Sequence, residues 1–230
     1  IFSQAQLGSD INGEAASDQS GYSVSLSSDG TIVAVGAPYN DGNGSDSGHV
    51  RVYEYSGSSW SQLGADINGE AASDISGYSV SMSSDGTIVA IGSNLNDGNG
   101  SSSGHVRVYQ YSSGSWTQLG SDIDGEASSD QSGYSVSLSS DGTKVAIGSY
   151  RNDGNGDTSG HVRIYSWNGT NWVQLGDDID GEAANDWSGT SVSLSPDGTA
   201  VAIGAIANGG DYTGHVRVYS YYNNQWNQRG

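Results

Sequence analysis

The chain has 230 residues, 26 of them acidic and 7 basic, with a formal net charge of -19 and no cysteine. That balance excludes nucleic acid and anionic membrane surfaces as partners, because phosphate recognition needs clustered lysine and arginine; cations, neutral sugars and protein surfaces remain. Disulfides and thiolate metal sites are ruled out, and no apolar run approaches the roughly 20 residues of a membrane span, so no membrane insertion is expected. The chain opens at Ile1 with no signal-peptide pattern, which reads as a processed or trimmed polypeptide, and its Gly-, Ser-, Asn- and Asp-rich make-up points to an extracellular or secreted protein.

Taken in chain order, residues 1–7 end in QAQL, which with Gly8 echoes the later WSQLG, and read as a spare outer strand through which the chain could self-associate by strand addition. At Gly8 begins GSDINGEAASDQSGYSVSLSSDGTIVAVG, and near copies begin at Gly64, Gly120 and Gly176. Trp60, Trp116, Trp172 and Trp226 set the period: 116-60=56, 172-116=56 and 226-172=54 residues. The copies are therefore 8–63, 64–119, 120–175 and 176–230. Within copy one, YSVSLS alternates Tyr22, Val24 and Leu26 with serines, which predicts a strand. SSDG turns the chain into TIVAVG, apolar on both faces and suited to the middle of a sheet. NDGNGSDSG is a loop by composition, HVRVYEY a third strand, and SSWSQLG a fourth anchored by Trp60. SDINGEAASDQSG crosses to the next unit, and no segment carries a 3.6-residue period over helical length. The expectation is an all-β chain: a β-propeller of four-stranded antiparallel blades, four repeats of about 56 residues in a single domain. One such sheet exposes two apolar faces, and stacking the copies covers them.

SGYSVSLSSDGTIVAVGAPYNDGNGSDSGHVRVYEYSG resembles the FG-GAP repeat of integrin α-subunit propellers, through Gly21, Ser23, Val24, Val35, Gly36, Ala37, Pro38, Gly48, Val50, Val52 and Tyr53. LSPDGTAVAIG at Leu194 resembles the turn of WD40-type blades. The resemblance implies a propeller, seven-bladed in the integrin case, and a calcium loop between the first two strands. Here that place holds only Ser27, Ser28, Asp29 and Gly30.

Calcium is instead expected in the crossovers. DINGEAASD offers alternating oxygens at Asp10, Asn12, Glu14 and Asp18, and again at Asp66, Asn68, Glu70 and Asp74. Copies three and four offer Asp122, Asp124, Glu126 and Asp130, then Asp178, Asp180, Glu182 and Asp186. Calcium takes six to eight oxygens, which a tight loop of alternate oxygens can supply. The competing reading needs no metal: each repeat has one arginine on its third strand (Arg51, Arg107, Arg163, Arg217) to pair with the crossover glutamate. Asp41, Asn43 and Ser45 also alternate in NDGNGSDSG, but a flexible turn accounts for them. His49, His105, His161 and His215 recur identically, which argues for a structural cap on strand three rather than catalysis, since an active site brings unlike groups to one pocket. Copy-to-copy change at loop slots singles out Trp187, Tyr39 and Tyr150 as rings that could stack on a sugar or dock a partner.

No catalytic residues are expected. The reading is a non-enzymatic extracellular module for protein or surface interaction, adhesin-like and calcium-stabilised. The alternatives are a lectin with repeated sites and a structural subunit of a polymer or filament.

Overall fold

Alternation dictates the strands, and the computed structural model, which describes residues 5–208 and 212–230, contains them in the expected places. In the first blade β1 (Ser23–Leu26), β2 (Ile32–Ala37), β3 (His49–Tyr55) and β4 (Trp60–Gln62) pair antiparallel in sequence order. The tight turn between β1 and β2 is built by Asp29, whose Oδ1 accepts the Ser27 hydroxyl at 2.7 Å and the Thr31 amide at 3.0 Å. The crossover then adds a two-residue strand that the sequence did not announce: β5 (Ile67–Asn68) pairs with β3 at His49 and Val50.

The pattern repeats. The second blade holds β6 (Ser79–Met82), β7 (Ile88–Ser93), β8 (His105–Ser112) and β9 (Ser115–Gln118), with β10 (Ile123–Asp124) added from the next crossover. The third holds β11 (Ser135–Leu138), β12 (Lys144–Ser149), β13 (His161–Trp167) and β14 (Trp172–Gln174), with β15 (Ile179–Asp180). The fourth is β16 (Ser188–Leu194), β17 (Ala200–Ala205), β18 (His215–Tyr222) and β19 (Gln225–Gln228). The chain is thus all-β, four propeller blades in sequence.

There is no single core. Each junction between successive blades has its own: Val50, Val52 and Ile67 against Met82, Val89 and Ile91; Val106, Val108 and Ile123 against Leu138, Val145 and Ile147; Val162, Ile164 and Ile179 against Leu194, Val201 and Ile203. The serine face of each inner strand is also used. Ser23 Oγ donates to the Gly77 carbonyl of the next blade at 2.7 Å, while the Met82 amide donates to Ser25 Oγ at 3.0 Å. Such pairing removes the cost of burying hydroxyls. At the outer edge, the indole N–H of Trp116 donates to the Leu63 carbonyl of the preceding blade at 2.7 Å, and Trp172 and Trp226 repeat the latch on Leu119 and Leu175.

Trp60 makes the same bond, at 2.9 Å, to the carbonyl of Leu7. Leu7 therefore occupies the place that Leu63, the residue just after β4, holds for Trp116. Residues 1–4 of the expected outer strand lie outside the described residues.

The two end faces are uncovered. Leu26 is 55% exposed where its equivalents Met82, Leu138 and Leu194 are 7–8% exposed. At the other end Val216 is 68% exposed, against 0% for Val50, Val106 and Val162.

Candidate functional site

Two arrangements stand out. The first lies at the start of each third strand, where a crossover behind, the strand itself and the crossover ahead converge. His105 is the first residue of β8 and pairs in register with Asp124 of β10. Its Nδ1 lies 3.9 Å from Glu70 Oε2, from the crossover behind, and 3.7 Å from Asp122 Oδ2, from the crossover ahead. The same trio recurs as Glu126, His161 and Asp178 and as Glu14, His49 and Asp66, with the donor atoms of each within 4.8 Å of one another. These clusters could hold a metal ion. At the fourth blade His215 Nδ1 lies 3.7 Å from Glu182 Oε2, and among the described residues no third carboxylate joins them.

Each histidine of the first three blades is buried, and its pKa falls for that reason first. His105 and His161 are lowered to about 4 by burial and then by the Arg107 and Arg163 charges beside them; His49 is lowered by burial. The rings are neutral near pH 7. Burial also raises Glu70, against the pull of Arg107.

The arginine–glutamate pairs of the metal-free reading are present in all four blades. Arg107 Nη1 stands 3.6 Å from Glu70 Oε1, Arg163 Nη1 3.5 Å from Glu126 Oε1 and Arg217 Nη1 3.9 Å from Glu182 Oε1, and Arg51 pairs with Glu14. Each of the later three arginines also donates to a crossover carbonyl, those of Asn68, Asp124 and Asp180, at 2.6–2.8 Å.

Three of the four oxygens expected to share one calcium go to separate partners. Asp18, Asp74, Asp130 and Asp186 are buried and accept their own loop amides, at Ala15, Ala71, Ala127 and Ala183. The first three also accept Asn40, Asn96 and Asn152 Nδ2 at 2.9–3.1 Å. Asp10, Asp66, Asp122 and Asp178 accept Gln6, Gln62, Gln118 and Gln174. Glu14, Glu70, Glu126 and Glu182 turn to arginine and histidine. The reason is local: Ser17 at φ 76° and Gln19 at φ 52° are left-handed, so the alternation that would aim successive oxygens at one point is broken. Within one crossover, the aspartates and the glutamate thus face different partners. The NDGNGSDSG loop is structural, as expected, because Asn43 Nδ2 donates to the Gly69 and Glu70 carbonyls at 2.8 and 3.1 Å and braces the crossover.

The second arrangement is a row of aromatic rings crossing the blades. Tyr22, Tyr78 and Tyr134 stand one per blade at the entry to the inner strands, with centroids 5.0 and 5.1 Å apart. Tyr150 continues the row at 4.3 Å, Trp187 at 6.0 Å and Tyr212 at 5.8 Å. Burial, and then the neighbouring hydroxyls of Tyr134 and Tyr22, push the Tyr78 pKa up. Tyr22 and Tyr212 are 46% and 69% exposed, and the rings between them are half-buried. Of the three rings singled out in the sequence, Trp187 and Tyr150 stand in the row, while Tyr39, half-buried like them, makes no ring contact with it.

Residues 12–53 and 122–165 match the FG-GAP repeat family. Two of the four repeats match this family. They are the first and the third, and each match runs from the crossover into the third strand, so the FG-GAP unit includes both the glutamate and the histidine of a cluster. No curated protein sequence matches the chain. Among solved structures the chain is similar to a protein assigned as a 6-phosphogluconolactonase from Bacteroides uniformis, at 12% identity and a TM-score of 0.59, covering 90% of this chain and 52% of that one. Hydrazine synthase of Kuenenia stuttgartiensis aligns at 12% identity with a TM-score of 0.58, covering 96% and 52%. At such identity the likeness is one of fold. The chain spans about half the length of the solved structures it matches.

Proposed function

We propose that this chain is a non-enzymatic extracellular interaction module, adhesin-like, that meets its partner along the aromatic row. The observation that carries the reading is the row itself: six rings in succession across the blades, exposed at both ends, on a scaffold whose other polar constellations repeat identically rather than converge on one pocket. Aromatic rings supply large contact area at low entropic cost, which is why interfaces favour them. Neighbouring rings are inclined by 42–80°, so the row offers edges and hydroxyls rather than a flat platform for stacking sugars. That favours a protein surface over a glycan.

The test is binding of the labelled chain to panels of extracellular proteins and of glycans, with Trp187→Ala and Tyr150→Ala in parallel. Protein binding lost in both variants supports the reading. Glycan binding lost in both makes the chain a lectin, and binding that survives both moves the contact off the row. Cation dependence belongs to the same proposal: calcium is the ion suggested by the crossover composition, and a rise in melting temperature on its addition, reversed by chelation, would support it.

A second reading, a subunit that assembles with its own copies, is favoured by the end faces. The residues bared on the first and fourth blades are equivalents of those that pack together at every internal junction. A second copy would seat head to tail, with Leu7 alongside. Sedimentation over a range of concentrations tests this, and a monomer throughout overturns it.

A further inference from the structure

The geometry points to three sites for a divalent transition metal of the zinc class, one at each complete His–Glu–Asp cluster. The inference stands on the clusters alone and is independent of the aromatic row. Its starting point is an anomaly. Neither ring nitrogen of His105 or His161 has a hydrogen-bond partner, nor has Nδ1 of His49, although these side chains are 1–3% exposed. Buried polar atoms are almost always paired, and exceptions repeated in register point to an unfilled place.

What surrounds that nitrogen is ordered like a ligand shell. In the second cluster Asp122 has Oδ1 engaged by Gln118 Nε2 at 2.6 Å and leaves Oδ2 facing His105. Glu70 has Oε1 turned to Arg107 and Oε2 facing the same nitrogen. One oxygen of each carboxylate is held and the other is free, so three unshared electron pairs meet in one place. The third cluster repeats this with Gln174 on Asp178 and Arg163 on Glu126. Outer partners that fix first ligands in this way are the usual companions of a metal site. Two donors bound to one ion at about 2.1 Å lie roughly 3.4 Å apart at a tetrahedral angle. The gaps of 3.7–3.9 Å in the second cluster would close with small rotations of the carboxylates.

The donor set selects the cation. A neutral imidazole nitrogen with two carboxylates suits zinc, cobalt or manganese. Calcium prefers six or more oxygens and gains little from nitrogen. The carboxylates are half open to solvent, leaving room for water to complete the shell. Arg107 offsets one of the two negative charges, so the empty site is tolerable and the filled one carries a single net positive charge. Each ion would tie together two successive crossovers and the strand between them. Among the described residues three such clusters are complete, and His215 with Glu182 has no third carboxylate there.

Native mass spectrometry and cobalt absorption on the 230-residue chain, stripped with chelator and titrated with zinc or cobalt near neutral pH, test this. Three ions per monomer are expected, with tetrahedral-type cobalt bands. The double variant His105→Gln, His161→Gln should retain one. Asp122→Asn with Asp178→Asn, which keeps the glutamine contacts, should likewise weaken two sites at least tenfold and serves if the histidine variant does not fold. Absence of zinc and cobalt uptake overturns the inference. So does uptake unchanged in both double variants, or calcium binding with neither transition metal.

Discussion

Leu138 and Leu26 occupy the same place in successive copies of the inner strand, yet Leu138 is 7% exposed and Leu26 is 55% exposed. Truncating each to alanine therefore measures how far the open ends of the chain are open in solution. Leu138 packs with Val106, Val108, Ile123, Val145 and Ile147 across the junction of blades two and three. Losing about three buried carbons at ~0.8 kcal/mol each, plus the cavity left behind, costs roughly 2.5–4 kcal/mol. For a chain of this size that lowers the melting temperature by roughly 5–15 °C. Leu26→Ala removes the same atoms from a surface already half in water, so about 0.5 kcal/mol or less is expected. Differential scanning calorimetry of both variants at low micromolar concentration decides the matter. Equal losses would refute the reasoning, because they would mean that something covers the first blade as the third covers the second. A Leu26→Ala penalty that grows with protein concentration would identify the cover as another copy.

Acid should destabilise the fold over a defined window. His105 and His161 titrate near 4 in the folded chain against 6.5 when free, so the unfolded chain takes up protons first. Stability is fully present above pH 6.5 and falls as pH drops toward 4, by on the order of 3 kcal/mol per histidine; melting curves of the His105→Gln, His161→Gln variant should lose most of that slope. Gly92→Ala would drive its Cβ into the backbone carbonyl of Gly133 on the next blade, whereas Gly204→Ala meets first the movable hydroxyl of Ser191. Denaturant midpoints should show Gly92→Ala costing roughly 3 kcal/mol or more and Gly204→Ala under about 1, and equal costs would contradict the tight approach of neighbouring inner strands.

The fold was legible because its signal is local and repeated. Alternation along YSVSLS and TIVAVG, the Asp29 turn and the tryptophan period each specify a strand or a boundary without reference to anything distant. The clusters were only half legible. Asp66, Glu70, Asp122 and Glu126 are all members, but the sequence groups them by crossover, and the structure groups Glu70 with Asp122 across a whole repeat. That regrouping follows from the pairing of β5 and β10 with the third strands, two residues each, too short to carry a pattern. His105 was missed for the same reason: its recurrence argued rightly against an active site, but only the converging crossovers show which atoms its Nδ1 faces. Tyr22, Tyr78 and Tyr134 were read as strand residues, and nothing in one repeat says that they line up with Tyr150 and Trp187.

Because every cluster draws on two crossovers, ions and blades are out of step by one. His215 and Glu182 wait at one end for a carboxylate, and at the other end Asp10, held by Gln6 at 2.8 Å, is that carboxylate without a histidine. If two copies of the 230-residue chain met head to tail, Asp10 of one would stand where a third carboxylate beside His215 and Glu182 of the other belongs, so metal uptake that rises with self-association would link the second reading to the clusters.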